Sequence, residues 1–60
     1  MIMQNNLVYL VMKRSSKKII KQFSNYDEAF EFCLEKKHEF GVVLIQMETE
    51  TYQVTGTIVF

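Results

Sequence analysis

The stretch Leu7-Val8-Tyr9-Leu10-Val11-Met12 decides the fold, because it has the length of a β-strand and is apolar throughout. Side chains alternate between the two sides of a strand, so this run presents apolar groups to both faces of a sheet. The run Val42-Val43-Leu44-Ile45 repeats the pattern. Strands of this kind belong in the interior of a sheet whose two faces are both covered.

Length and composition place the chain among small folded domains. Its 60 residues are 48% hydrophobic and 23% charged, which predicts one domain over residues 1–60 that folds rather than stays disordered. Small domains are usually reinforced by disulfides or a structural metal, but Cys33 and His38 are the only residues of their types. We therefore expect no cofactor, and extra burial against a partner would help the domain's stability.

The first third of the chain has the pattern of a β-hairpin. A strand predicted over 7–13 is followed by a polar turn over 14–17 and by a second strand over 18–23. In the second strand, Ile19 is expected to share a face with Lys21 and Phe23. Because lysines at a sheet edge discourage unwanted pairing, this strand is predicted to be an edge.

A helix is predicted over 26–39. Ser24 and Asn25 can cap its start, the charges at its two ends suit the helix dipole, and Gly41 can close it in the left-handed conformation. At about 100° per residue its apolar positions fall on one arc that would pack on the sheet. The arc consists of Tyr26, Ala29, Phe30, Cys33, Leu34, Lys37 and Phe40, with Phe32 on its flank.

The last third predicts a second hairpin, with strands over 42–47 and 52–60 around a polar turn over 48–51 and with a bulge at Gly56. The predicted fold is α+β with the order ββαββ, a four-stranded, mainly antiparallel sheet with one helix packed on one face. Strand order 2-1-3-4 puts the two apolar strands in the centre, and 2-1-4-3 remains the alternative. One face of the last strand is expected to carry Tyr52, Val54, Ile58 and Phe60.

One helix covers one face of the sheet, so apolar side chains remain on the other. Soluble monomers rarely expose a contiguous apolar patch of more than a few hundred Å², so we expect a second copy or another protein to cover it. In the alternative interpretation, sheet curvature, the last strand or the segment Met1-Ile2-Met3 covers this face within one chain. The side chains concerned are Val8, Leu10, Met12, Val42 and Leu44, or the alternate set of the same strands.

Four glutamates line the helix opposite its apolar arc: Glu28, Glu31, Glu35 and Glu39. Neighbours on this acidic ridge are three or four residues apart, which brings their Cβ atoms to ~5–6 Å, similar in scale to phosphate spacing along a nucleic-acid strand. The ridge predicts contact with a protein and suggests a specific hypothesis, mimicry of DNA in the basic groove of a nucleic-acid-binding protein. The simpler interpretation is a solvated helix face.

The formal net charge is zero, but the charges are segregated along the chain. From Gln22 onward the chain has two lysines and all seven acidic residues. The basic segment before it suggests an alternative function, binding of nucleic acid through phosphate contacts, although no known nucleic-acid-binding signature accompanies it. This basic hairpin comprises Lys13, Arg14, Lys17, Lys18 and Lys21.

The sequence predicts no catalytic or metal site. Cys33 and His38 lie about 140° apart around the helix, so they cannot act as nucleophile and base within one subunit. Gly41 and Gly56 form no phosphate-binding loop, and no spacing fits zinc or calcium. We expect a cytoplasmic location without membrane contact. The opening residues lack signal-peptide features, no apolar run approaches ~20 residues, and a single cysteine fits a reducing compartment.

The order of hairpin, helix with an acidic front and further strand resembles that of small phage-encoded inhibitors, including the dimeric phage inhibitors of uracil-DNA glycosylase. The resemblance covers the middle of the chain, concerns the order of elements and transfers no site residue. We expect a non-enzymatic protein-binding module, homodimeric through its open sheet face, that regulates or inhibits a macromolecule through the acidic ridge. A nucleic-acid-binding protein and a structural subunit of a larger assembly are the alternatives.

Overall fold

Four strands and one helix follow one another in the order ββαββ in a computed structural model, which describes residues 6–60. The boundaries lie within one residue of those predicted, except at the end of the helix, and the α+β fold is confirmed. The elements are β1 (Leu7–Lys13), β2 (Ile19–Phe23), α1 (Tyr26–Lys36), β3 (Val42–Glu48) and β4 (Gln53–Val59).

The sheet has the strand order β2-β1-β3-β4, and every neighbouring pair is antiparallel. The order 2-1-3-4 is therefore confirmed. β1 and β3 pair along their whole lengths, from Leu7 opposite Glu48 to Lys13 opposite Val42. The centre of the sheet is thus built from the two apolar runs that the sequence placed there.

The edge strand β2 contains one extra residue. Val11 and Met12 of β1 pair with Lys21 and Ile19, which leaves Ile20 between them without a partner of its own. An extra residue reverses the alternation of side chains beyond it. The prediction that Ile19 shares a face with Lys21 is wrong for this reason, because Ile19 lies opposite Met12 on the other face.

The second edge strand, β4, has the same irregularity. Gly56 and Val54 pair with consecutive residues of β3, so Thr55 is the extra residue. The predicted bulge is therefore present beside Gly56. Because it reverses the alternation, the prediction of one face for Val54 and Ile58 is wrong: Ile58 lies on the face of Leu44, and Val54 on the opposite one.

The start of α1 follows the predicted capping pattern. Asn25 is the N-cap residue, and its Oδ1 accepts a hydrogen bond from the backbone N–H of Glu28 at 3.1 Å. This bond satisfies one of the backbone donors that the first turn of a helix leaves unpaired. Asp27 and Glu28 in the first turn also suit the positive end of the helix dipole.

The helix ends at Lys36, not at Glu39 as predicted. The backbone N–H groups of Glu39 and Phe40 both donate to the carbonyl oxygen of Lys36, at 2.8 and 3.1 Å, so the chain leaves the helix in a tight turn. This turn brings Phe40 against the core, where the Lys13 Nζ lies 4.8 Å from its ring centroid. The left-handed conformation predicted for Gly41 is wrong, because Gly41 has no positive φ.

The core lies between α1 and one face of the two central strands. Val11, Val42, Ala29 and Cys33 have no exposed surface, and Leu44 is 2% exposed. The predicted arc of the helix therefore packs on the sheet, although two of its members, Leu34 and Lys37, are exposed. Partly buried hydrophobic residues surround this core: Leu7, Phe23, Phe30, Phe32, Phe40 and Phe60.

Candidate functional site

The face of the sheet opposite α1 is apolar along both central strands. Residues paired across an antiparallel ladder share a face, so three alternate pairs of β1 and β3 place six apolar side chains there. The other face of the same two strands carries polar residues at its ends: Lys13, Gln46 and Glu48. We define the open face by the six residues Val8, Leu10, Met12, Val43, Ile45 and Met47.

Val42 and Leu44 do not belong to the open face. They lie under α1 in the core, opposite Lys13 and Val11, so their predicted grouping with Val8, Leu10 and Met12 is wrong. The turn that leads out of the helix decides which alternate residues of β3 face α1, and the sequence gives no direct measure of it. One signal was present: the alternate set that starts at Val43 stays apolar to the end of β3.

The open face is sheltered at its centre and exposed at its edges. Val8 and Val43 are each 7% exposed, with Met47 and Met12 directly opposite them. At the two edges Ile19 is 57% and Val59 is 61% exposed. Three strands of seven residues and one of five, ~4.8 Å apart and with a rise of ~3.3 Å per residue, give the whole sheet a footprint on the order of 400 Å². No element among residues 6–60 lies over this face, and the alternative cover by Met1-Ile2-Met3 concerns residues outside those described.

The acidic ridge is divided between α1 and the turn that follows. Glu28, Glu31 and Glu35 lie exposed on the helix, whereas Glu39 lies beyond its end, so the prediction of four glutamates on one helix is wrong for Glu39. Glu39 Oε2 is 3.8 Å from Lys36 Nζ, the only ion pair among residues 6–60. The three helical glutamates are therefore free to pair with a ligand's cations.

A groove of about 790 Å³ lies between α1 and β2. The three helical glutamates of the ridge form one wall, and Lys21 lies on the opposite wall. Phe23 and Phe32 line its apolar part with ring centroids 5.4 Å apart, beside Leu34, while His38 also contributes to the lining. The sequence could not reveal this groove, because it depends on how the helix is placed beside the edge strand.

The basic hairpin does not form one continuous patch. Lys13 and Lys21 lie on the α1 side of the sheet, near the rings of Phe40 and Phe23. The guanidinium of Arg14 lies over Gly41, where a Cβ atom would be 2.8 Å from its Nε. Lys17 and Lys18 remain exposed at the turn between β1 and β2. The five cations predicted to contact nucleic acid thus point in different directions.

The described residues hold no arrangement typical of catalysis or of metal binding. Cys33 is buried in the core, and burial raises the pKa of its thiol, so it is a poor nucleophile. His38 lies exposed beyond the end of α1. No group of three or more potential metal ligands occurs among residues 6–60. Over the same residues, no helix has the length and hydrophobicity needed to cross a membrane.

Comparisons with protein-family models, with characterised proteins and with solved structures found no significant match to this chain. The resemblance in element order to phage inhibitors therefore gains no support from them.

Proposed function

We propose that this protein is a non-enzymatic binding module that forms a homodimer through its open face and regulates or inhibits another protein through the acidic side of α1. The observation that carries the proposal is the uniform hydrophobicity of the open face. The face that α1 covers, in contrast, is polar at its ends. A lone free thiol, Cys33, fits a reducing compartment such as the cytoplasm.

The geometry of the open face suits a two-fold contact between sheets. Each copy contributes the same patch, as in most homodimers, and two sheets can stack about 10 Å apart. The exposed aliphatic groups at the edges, such as Ile19 and Val59, gain most from such a contact. Full burial of one exposed side chain of this size contributes about 1.5–3 kcal/mol.

The dimer is tested by introducing two charged residues on the open face. The double variant Leu10→Glu/Ile45→Glu should shift the protein from dimer to monomer in light scattering coupled to size exclusion, with an unchanged circular dichroism spectrum. The control Ser15→Glu/Ser16→Glu adds the same charge at the exposed turn between β1 and β2 and should leave the dimer intact. A wild-type protein that is monomeric at high micromolar concentration would overturn this part of the proposal.

The acidic side of α1 is proposed as the contact for the regulated protein, with DNA mimicry as the specific hypothesis. The spacing of Glu28, Glu31 and Glu35 supports it, as does the absence of ion pairs between these three residues and any other of residues 6–60. In an affinity capture with mass spectrometry, wild-type protein should retain a partner that added duplex DNA releases. Glu31→Lys/Glu35→Lys should lose it, and the control Glu48→Lys/Glu50→Lys should keep it. Equal capture by both variants would discard the mimicry.

Direct nucleic-acid binding by the basic hairpin is the alternative function. Arg14, Lys17, Lys18 and Lys21 are exposed and could contact phosphates. The alternative predicts retardation of short DNA or RNA in a gel at low salt, weakening steeply as salt rises, and its loss in Lys17→Glu/Lys18→Glu. Absence of retardation at low salt would exclude it.

A further inference from the structure

We propose that the groove between α1 and β2 binds an extended peptide segment with basic residues at alternate positions, which joins the sheet as a further strand beside β2. The inference rests on the proposed function, because it names the chemistry of the partner that the acidic side of α1 would meet. The expected ligand is a protein segment and not nucleic acid, because three glutamates and one lysine, Lys21, line the groove and phosphates would be repelled.

The outer edge of β2 is free to pair. β2 pairs with β1 on one side and with no other strand among residues 6–60, so backbone N–H and C=O groups on its outer side are available. Addition of a strand to such an edge is a common way to bind extended peptides. β4 is the other edge, but α1 packs on β1, β2 and β3 and not on β4. Within the described part of the chain, only the β2 edge therefore combines free backbone groups with a helical wall.

The spacing of the glutamates along the helical wall matches the repeat of a β-strand. Alternate side chains of a strand point to one face and repeat at ~6.6–6.8 Å. Glu31 and Glu35 are separated by a rise of ~6 Å along the helix. A strand that runs beside β2 can therefore place two successive cations of its α1-facing side near these two carboxylates. The partner's basic residues are expected at every second position for this reason.

The groove also has an apolar lining. The Phe23 and Phe32 rings, 5.4 Å apart, can accept the aliphatic stems of lysine or arginine while the charged ends reach the glutamates. The Lys21 Nζ lies 5.8 Å from the Phe23 centroid, so this aromatic lining already has a lysine ammonium beside it. The other side of an added strand continues the open face beside Ile20, which favours aliphatic residues at the intervening positions. The expected ligand thus alternates basic and aliphatic side chains.

The test uses a fluorescein-labelled peptide Lys-Val-Lys-Val-Lys-Val in an anisotropy titration against the intact protein. A peptide of the same composition in the order Lys-Lys-Val-Val-Lys-Val has no two lysines two positions apart, so it cannot place two successive charges on one side of a strand. A third peptide keeps the alternating order but carries backbone N-methyl groups that prevent strand pairing. The variant Glu31→Gln/Glu35→Gln removes the two wall charges, and Glu48→Gln/Glu50→Gln is the matched control outside the groove.

We expect the alternating peptide to bind most tightly and to shift amide NMR signals of β2. Removal of the two wall charges should weaken it roughly tenfold, as expected for two exposed ion pairs, and the control variant should not change it. Equal binding of the rearranged or N-methylated peptide, unchanged β2 signals, or no binding at millimolar concentration would each overturn the inference. The proposed function can still hold in that case, because dimer formation and partner capture are measured separately.

Discussion

The two faces of the sheet carry similar aliphatic side chains, but the fold uses them differently. Consecutive residues of β3 show the contrast: Leu44, under α1, is almost fully buried, whereas Ile45, on the open face, is only half-buried. The difference teaches that the hydrophobicity of a strand does not identify which of its sides forms the core. The position of the helix decides that, and the hydrophobicity left on the open face is available for association.

The largest expected effect distinguishes these two residues. Leu44→Ala removes a buried side chain and should cost about 2–5 kcal/mol of unfolding free energy, which approaches the whole stability of so small a domain. Ile45→Ala should cost less than half as much in a dilute protein. Urea unfolding followed by circular dichroism measures both, and Leu44→Val provides a milder change if the alanine variant does not fold.

Protein concentration sharpens the same comparison. If a second copy covers the open face, the cost of Ile45→Ala should grow with protein concentration, because dimerisation stabilises the wild-type fold by mass action. The cost of Leu44→Val should not. Equal and concentration-independent costs at the two positions would contradict the distinction between a covered and an open face.

A second prediction concerns the N-cap of α1, the helix that covers one face of the sheet. Asn25→Ala removes the hydrogen bond to the Glu28 N–H and should destabilise the protein by about 0.5–2 kcal/mol. Ser24→Ala, at the exposed neighbouring position, should have little effect. Thermal unfolding compares the two, and a loss in Ser24→Ala as large as in Asn25→Ala would show that the cap is assigned to the wrong residue.

A third prediction concerns the pH dependence of stability. The titrating group is Cys33, which lies in the core under α1, whereas the six residues of the open face have no titratable side chain. Burial raises the pKa of Cys33, so above its ordinary value of 9.0 the unfolded chain loses the thiol proton before the folded one does. The unfolded state then binds fewer protons, and stability falls as pH rises, by at most about 1.4 kcal/mol per pH unit. Below that value the group contributes no pH dependence.

Cys33→Ala is the control for this pH effect. We compare the two proteins by urea unfolding between about pH 8 and pH 10, the range in which a thiol titrates. The free energy of unfolding of Cys33→Ala should not show the additional decrease at alkaline pH. In the wild-type protein, the native thiol should also react with maleimide far more slowly than the unfolded one. Equally fast reaction in both states would contradict the burial of this side chain.

The smallest expected effect lies in the two hairpin turns, which belong to neither face. Lys17 and Tyr52 have φ angles of 59° and 58°, a conformation that side chains other than glycine adopt at a cost. Lys17→Gly and Tyr52→Gly should each stabilise the protein by about 0.5–1 kcal/mol. This value already allows for the greater conformational entropy that glycine gives the unfolded chain. Ser16→Gly, in the same turn without a positive φ, should instead destabilise slightly. A loss of stability in Lys17→Gly would contradict the turn geometry.

The sequence was sufficient for the elements and their order because local signals mark them. The apolar run 7–12 and the run 42–45 predicted central strands, and Asn25 predicted the helix start. The end of α1 was predicted too late, because the position of Phe40 depends on its contact with the core and with Lys13. Helix propensity alone contains no information on that contact.

The surfaces were less predictable than the elements. The extra residues Ile20 and Thr55 reverse the alternation of the edge strands, and only the neighbouring Gly56 indicated one of them. The assignment of Val42 and Leu44 to the open face was wrong because the turn between α1 and β3 sets which residues of β3 face the helix, and the alternation within β3 does not show this. The groove between α1 and β2 depends on packing between two elements, so spacing within either one could not predict it.

The pairing of β1 with β3 has a consequence for how the chain reaches this structure. Among residues 6–60 it is the only ladder that joins the two hairpins, and it brings together residues as distant in sequence as Leu10 and Ile45. A hairpin can form in ~1–10 μs, whereas contacts between distant residues must first overcome a larger loss of chain entropy. We therefore expect formation of this central ladder to limit the folding rate. Helix α1 lies in the chain between β2 and β3, so its formation should reduce the loss of chain entropy when the two hairpins pair.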